Sequence, residues 1–292
     1  MADNNLTIII PVFRGQEQIR RCLESLYKSR CTDFDVVIVD HGITDQITRL
    51  VTAEFPEANC IRGSADFWWS GATNLGIHHA LDNGSTLLML LNHDCYVRED
   101  TIGMLLEQME STPDAIIAPV QHNLHTGKDT IGATSFFLLG FSTIIPPAGW
   151  YRFFHSTPLL PTRLIIGGRG ALIRASTFQQ VGYFDERNLP HYGADHDFYF
   201  RCRKSGIRLF VCMDAIVDMD DTWTSSAKTG GDRVPAEFAG TLKDRSSHRN
   251  IRDLYALFSR HYPVPGLAAL GVALNFLRYS LLSLVRTVAR TR

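Results

Sequence analysis

Short blocks of apolar residues alternate with stretches of helical spacing over roughly the first 120 residues. "LTIIIPVF" (Leu6–Phe13) is β-branched and meets Pro11 near its end, which predicts a buried strand. "QEQIRRCLESLYKS" carries Ile19, Cys22, Leu23, Leu26 and Tyr27 on one helical face. "DVVIVD" (Asp35–Asp40) predicts a second buried strand, and "DQITRLVTAEF" a second helix with Asp45 as N-cap. A third strand near Asn59–Arg62 leads to a helix over "GATNLGIHHAL", opened by Gly71. "TLLMLLN" predicts a strand, "TIGMLLEQMES" a helix and "DAIIAPV" a further strand. Such alternation predicts an α/β fold, a Rossmann-like, mainly parallel sheet flanked by helices. Ligands of such sheets bind outside the carboxyl ends of the strands.

The pattern loosens from about Thr130 to Arg163, where "FSTIIPPAGWYRFF" reads as a flap over a site or as a packed irregular insert. "RLIIGGRGALIRASTFQQVGYFD" returns to strand and helix, and "ADHDFYFRCRKSG" to a helix stopped by glycine. "IRLFVC" and "AIVDM" read as two short strands. Residues 1–245 form one unit on this reading, and 246–292 a C-terminal helical extension. "RNIRDLYALFSRHY" is amphipathic, and "GLAALGVALNFLRYSLLSLVRTVARTR" is apolar with Arg278, Arg286, Arg290 and Arg292. The uncharged run before Arg278 is too short to span a bilayer. An apolar face with a basic end suits the inner surface of an anionic membrane. The other readings are packing on its own domain or on a second subunit, as in a homodimer.

Composition changes this picture little. The 292 residues are 45% hydrophobic and 20% charged with net charge −1, which lacks the basic excess of a nucleic-acid binder. The six cysteines show no metal-ligand spacing and read as reduced cytosolic thiols. The start "MADNNLTIIIPVF" lacks a basic n-region and a long apolar h-region, so it does not read as a signal peptide.

Polar residues gather where the strands should end: Pro11 and Arg14, then Asp40, then Asn92, His93 and Asp94. Asp94 could supply one oxygen ligand to Mg2+ or Mn2+, which accept one or two carboxylates plus phosphate oxygens; taken alone, a strand-terminal Asp is more often a turn residue. Asp40 could accept from a base or ribose, although "DHGITD" is also good turn chemistry. Gly71 and Gly76 are spaced like P-loop glycines, but no Lys-Ser/Thr follows, and "GGRGAL" is not GxGxxG. NTPase and dinucleotide readings are excluded on those grounds. Asp195 and Asp197 at a helix start either favour the helix dipole or provide a general base. "DMDD" (Asp218–Asp221) is either a solvated loop or a second source of metal ligands. His78 and His79 point to different faces of a helix and read as surface or structural.

Taken in order, these pieces resemble the family 2 glycosyltransferases of the GT-A fold. "VVIVDHGITD" resembles "VVDNGSxD"; "FWWSGATNLGI" resembles the "GFAGGNNxGI" element of many rhamnosyl-type members; "LLMLLNHDCYV" stands at the "LLNxD" or DXD segment. "GGRGALIRASTFQQVGYFDE" resembles "GAxxLIRRxxFxxVGGFDE", and "YGADHDFYFRCRKSGIRL" resembles "xxEDxDLxxRxxxxGxxx". The resemblance runs from about Leu6 to Asp221. It implies an inverting transferase that moves a sugar from a nucleotide-diphosphate donor to a glycan or lipid-linked acceptor in cell-surface polysaccharide synthesis. It places the donor against Pro11, Phe13, Asp40, Trp69, Gly71, Asn74, Asn92, His93, Asp94 and Gly168, with deoxythymidine-diphosphate rhamnose or a uridine-diphosphate sugar as donor. Asp195 takes the place of the base, supported by Asp197, with Arg201 as their structural partner.

Three departures bear on the metal and the base. Asn92 replaces the first acidic residue of the DXD segment, and Ala194 replaces the usual Glu before the base. The late "AVVxH" histidine is missing, so Asp94 would be joined by Asp218 or Asp220, or by no protein ligand. Two other functions compete. A scaffold protein of a glycan-assembly complex would keep the fold and lose catalysis. A nucleotidyltransferase would open with a Gly-rich basic loop, which "PVFRGQEQ" matches poorly.

Overall fold

The structure is a computed structural model that describes residues 5–136, 142–144, 157–220, 240, 242–245 and 247–290. The predicted alternation is present: β1 (Leu6–Val12), α1 (Gln16–Tyr27), β2 (Asp35–Asp40), α2 (Gln46–Glu54), β3 (Asn59–Arg62), α3 (Trp68–Asp82), β4 (Leu87–Leu91). Then come β5 (Cys95–Val97), α4 (Thr101–Ser111), β6 (Ala115–Asn123), β7 (Asp129–Thr130), β8 (Thr134–Phe136), β9 (Ser142–Ile144) and β10 (Leu159–Thr162). The chain closes with β11 (Arg169–Arg174), α5 (Ala175–Val181), α6 (Ala194–Lys204), β12 (Arg208–Met219), α7 (Ile251–His261) and α8 (Ala268–Arg290).

The main sheet runs β10-β12-β6-β11-β4-β1-β2-β3, with β5 on β12 and β7 on β6. β1 pairs in parallel with β2 and β4, β2 with β3, and β6 with β12. β11 runs antiparallel between β4 and β6 and joins the two parallel halves. Every residue of β1 and β4 is buried, as expected of strands covered on both faces by helices. Pro11 is tolerated in this central strand because β1–β4 pairing stops at Ile9↔Leu90. Gly76 lets α3 lie close on the sheet: a Cβ there would come 2.5 Å from Ile9 Cγ2.

Some local expectations change. The two short strands read in "IRLFVC" and "AIVDM" are one strand, β12, with a register break between Cys212 and Ile216. Asp45 stands at the N-cap of α2 but makes no capping bond; its carboxylate instead holds Arg49 at 2.8 Å. The helix expected to open at Gly71 starts at Trp68. Most of the "FSTIIPPAGWYRFF" stretch lies outside the described residues, apart from β9, so the flap reading does too. All six cysteines are free thiols.

α7 and α8 form a hairpin closed by Leu254, Phe258, Ala268 and Val272. α7 also binds α6: Lys204 Nζ donates to the Arg260 carbonyl, and His261 Nε2 lies 2.8 Å from Asp197 Oδ1. One face of α8 is therefore packed on its own chain. Leu267, Leu270, Leu277 and Leu281 remain exposed on the hairpin. Among the described residues, no helix is long and apolar enough to cross a membrane.

Candidate active site

The carboxyl ends of β1, β2 and β4 meet at one edge of the sheet, and four segments distant in sequence converge there. The Trp69 indole N–H donates to Asn92 Oδ1 at 3.0 Å, and the Asn92 backbone N–H donates to the Gly168 carbonyl at 2.7 Å. Gly168 is needed for this approach, since a Cβ would fall 2.8 Å from Trp69 Cζ2. One residue earlier, the Gly167 N–H donates to Asp195 Oδ2 at 2.8 Å. Two consecutive glycines thus tie the "FWWSG", "NHD" and "ADHD" segments together. The start of α3 is anchored to the segment before α6 as well: the Ser70 N–H donates to the Pro190 carbonyl and its hydroxyl to the Leu189 carbonyl.

Asp195 is 15% exposed, and its Oδ1 lies 2.8 Å from His196 Nδ1. Burial alone would raise its pKa. The His196 charge and hydrogen bond, with the Gly167 N–H, outweigh that and hold the carboxyl at about 2. The group is an ionised acceptor across the ordinary pH range. Trp68, the first residue of α3, adopts φ 53 and ψ −163, a region that only glycine enters easily, at a cost of roughly 1–3 kcal/mol. Its ring meets His191 at 5.8 Å, and burial pushes the His191 imidazole down and keeps it neutral.

A family model described as "Glycosyl transferase family 2" matches residues 7–181. The chain belongs to glycosyl transferase family 2. A relative of this glycosyltransferase, "Glycosyltransferase GlyG" of Streptococcus pneumoniae serotype 4 (strain ATCC BAA-334 / TIGR4), is 23% identical over 94% of the chain and 85% of its own length. "Glycosyltransferase GlyA" of the same organism is 21% identical over 63% of the chain. "Teichoic acid poly(glycerol phosphate) polymerase" of Staphylococcus epidermidis is 30% identical over 43% of the chain. The chain spans only about a quarter of GlyA and a sixth of the polymerase (26% and 17%). Among solved structures, GalNAc-T7 with UDP, GalNAc and Mn2+ aligns with TM-score 0.62 at 12% identity over 91% of the chain and 54% of its own. S. aureus TarS 1-349 aligns with TM-score 0.56 at 14% identity over 93% of the chain and 89% of its own. The fold is the GT-A fold that the motif order implies.

The remaining expected residues divide. Asp40 is completely buried: Gly42 N–H donates to Oδ1, while Thr48 N–H, Thr48 hydroxyl and the Arg62 guanidinium at 2.6 Å all converge on Oδ2. Arg62 was not singled out from sequence, yet the β2–β3 register sets it opposite Asp40. His93 turns inward to the backbone of Pro11 and Arg14, and burial, the first of its causes, lowers its pKa. It staples the β1–α1 loop to the end of β4. Asn74 spends its amide on the "YFDE" loop: it donates to the Phe184 carbonyl and Glu186 Oε2 and accepts from the Phe184 N–H. Gly71 is packed against Phe67 inside α3. Phe13 faces His41 with ring centroids 5.3 Å apart.

Asp197 does not join Asp195. It is fully buried and held by Arg201 at 2.9 Å, His261 at 2.8 Å and Arg260 at 3.3 Å, so it ties α6 to α7. Arg201 partners Asp197, together with the backbone carbonyls of Val181 and Tyr183, and no bond links it to Asp195. Asp218 stands apart: its carboxylate pairs with Arg98 at 2.8 Å and lines a cavity of about 510 Å3 with Arg21 and Tyr96. Asp220 comes nearer, since its N–H donates to the Asp94 carbonyl, but its carboxylate engages His125 at 3.0 Å and Arg21 at 3.5 Å. Among the described residues, no three ligating side chains gather around one point. Asp94 is half-buried, and the side-chain bond it accepts comes from the Cys95 thiol at 3.6 Å, a weak donor. The arrangement fits a cation held by one protein carboxylate and completed by ligand oxygens and water.

Proposed function

We propose that this glycosyltransferase is inverting and transfers one sugar from a nucleotide-diphosphate donor to a glycan or lipid-linked acceptor in cell-surface polysaccharide synthesis. The carrying observation is the chain of contacts Trp69–Asn92–Gly168 and Gly167–Asp195. It sets an ionised carboxylate one residue away from the donor-site cluster. On this reading residues 1–245 are the catalytic domain. The diphosphate lies along the ends of β1 and β4, beside Phe13, Asn92 and Asp94. Asp195 accepts the proton of the acceptor hydroxyl as that oxygen attacks the anomeric carbon, and the nucleoside diphosphate leaves from the opposite face. Asp94 would hold Mg2+ or Mn2+, which supplies charge neutralisation to the leaving diphosphate when bound. The name of the polymerase relative and the Mn2+ of the GalNAc-T7 structure support the polysaccharide and cation parts. The resemblance of "FWWSGATNLGI" to rhamnosyl-type members favours deoxythymidine-diphosphate rhamnose over a uridine-diphosphate sugar.

The C-terminal segment 246–292, which contains the α7–α8 hairpin, carries the membrane part of the reading. Leu267, Leu270, Leu277 and Leu281 are each between 43% and 56% exposed, and arginines follow at 278, 286, 290 and 292. Exposed leucines in a segment whose sequence ends in arginines suit the anionic cytoplasmic face of a membrane that carries the acceptor.

A thermal-shift screen of uridine, thymidine, guanosine and adenosine diphosphates, with and without Mn2+, tests the reading. A ligand that binds the native state alone raises the melting temperature. A base-selective rise that grows with Mn2+ and loses the Mn2+ increment in Asp94→Ala is expected. No rise with any nucleotide would move the assignment to a scaffold protein.

A further inference from the structure

We infer that α8 pairs with the α8 of a second copy of this chain along a seam of leucines, and that the basic end of the paired helices is left for lipid. The inference goes beyond the transferase reading and does not depend on it. It starts from a spacing. Leu267, Leu270, Leu274, Leu277, Leu281, Leu284 and Val288 follow one another at alternating steps of three and four residues. That is the a and d pattern of a heptad repeat, held over three heptads with no polar residue at any of these positions. Leu267, Leu270, Leu277 and Leu281 are 43%, 48%, 56% and 54% exposed, so the described part of the chain leaves the seam open.

The other face of α8 is already occupied. Ala268 and Val272 close on Leu254 and Phe258 of α7, and Gly271 lies so near Phe258 and Tyr262 that a Cβ there would run into both rings. A helix lying in a lipid interface carries a broad apolar face ringed by cations. Among the described side chains of α8, Arg278 is the one cation, and it is turned back: it donates to Asn275 Oδ1 at 3.2 Å and sets its guanidinium 5.0 Å from the Tyr279 ring. The seam is narrow instead, about two positions in seven, which is the width a second helix covers. Ala273 and Ser280 flank it, exposed and small enough for close approach. The g positions, Ala273, Ser280 and Thr287, carry no charge, so an identical helix meets no like charge from them. A seam present on both copies is self-complementary, as a two-fold interface requires. About 22 residues give a face roughly 33 Å long and 10 Å wide. Two such faces hide on the order of 700 Å2 in flat projection, and more with interdigitated side chains, which reaches the small end of specific interfaces. Pairing in the micromolar range is the expectation.

Sedimentation velocity of the full chain, without lipid or detergent and across about 1–100 μM, brackets such a constant. A rise toward twice the 32.8 kDa of one chain is expected. Leu277→Glu with Leu281→Glu puts carboxylates at two exposed seam positions; it should keep the helical circular dichroism and weaken association at least about a hundredfold. Ala269→Glu, exposed on the same helix but off the seam, should leave association within about threefold. Paired copies also bring two sets of Arg286, Arg290 and Arg292 to one particle, so losing the pair weakens contact with anionic vesicles as well. A monomer at every concentration would overturn the inference, and vesicle binding by that monomer, lost in the double variant, would give the leucines to lipid. A dimer that survives the double variant would overturn it too, since the contact then lies elsewhere, as would an equal loss in Ala269→Glu. None of these outcomes touches the donor site, so the transferase reading stands or falls separately on the nucleotide screen.

Discussion

Replacing Asp195 with asparagine separates chemistry from architecture. The amide keeps the shape of the carboxylate and one oxygen to accept from the Gly167 N–H, 2.8 Å away in the wild type. It removes the charge and the proton-accepting ability. A positioned general base contributes roughly 10²–10⁴ in rate, or about 3–5 kcal/mol of barrier. The structural cost is smaller. Burial raises the Asp195 pKa, and the His196 and Gly167 contacts bring it down to about 2 from its usual 3.8. That difference is worth about 2 kcal/mol of folding free energy. A carboxyl depressed in the fold contributes this stability above about pH 4 and loses it as the pH falls toward 2. For a chain of this size, about 2 kcal/mol lowers the melting temperature by roughly 4 °C at neutral pH. Asp195→Asn should therefore stay folded at 25 °C, bind the donor nucleotide as the wild type does, and release nucleoside diphosphate in the presence of acceptor at least about a hundredfold more slowly. Its melting temperature should also show a shallower fall between pH 4 and pH 2. Turnover within about threefold of wild type would refute the base assignment, and an equal loss of nucleotide binding would reassign Asp195 to the donor site.

Gly168→Ala drives a methyl to 2.8 Å from Trp69 Cζ2 and 3.4 Å from Asn92 Oδ1. Overpacking of this kind costs typically about 1–3 kcal/mol, and loss of the Trp69–Asn92 bond should appear as a change in tryptophan fluorescence with weaker donor binding; an unchanged spectrum and affinity would count against a donor site there. Asp253→Asn should do the opposite for stability: burial, only partly offset by Arg245 and Arg252, raises this carboxyl to about 6. The folded chain then holds a proton that the unfolded chain releases, so stability falls as pH rises from about 4 to 6 and stays low above. The amide should remove that fall and raise the melting temperature at pH 7.5 by an amount corresponding to at most about 3 kcal/mol, whereas a lower melting temperature would show that the Arg245 contact outweighs burial. For the hairpin, co-sedimentation with anionic phospholipid vesicles, weak binding to neutral ones, and loss on Leu277→Glu with Leu281→Glu are expected; retention by the double variant would remove the membrane reading.

The succession of strands and helices in the first 120 residues was written in local pattern, because buried strands need continuous apolar runs and their covering helices need one apolar face. The identity of the family was legible too, since its motifs are short, local and ordered along the chain. The structure links Asp195 to the Trp69–Asn92–Gly168 group through the adjacent Gly167. Which partners each carboxylate takes was decided only by tertiary contacts. Asp195 and Asp197 are two residues apart on one helix, yet α6 turns the first toward Gly167 and the second toward Arg201, Arg260 and His261. Arg260 and His261 belong to α7, more than sixty positions away, so nothing local to "ADHD" announces them. Asp218 was claimed by Arg98 across the β5–β12 pairing, and Asp40 by Arg62 across β2–β3. A carboxylate's chemistry depends on what shares its few ångströms of space, and strand order and register set those neighbours, not distance along the chain.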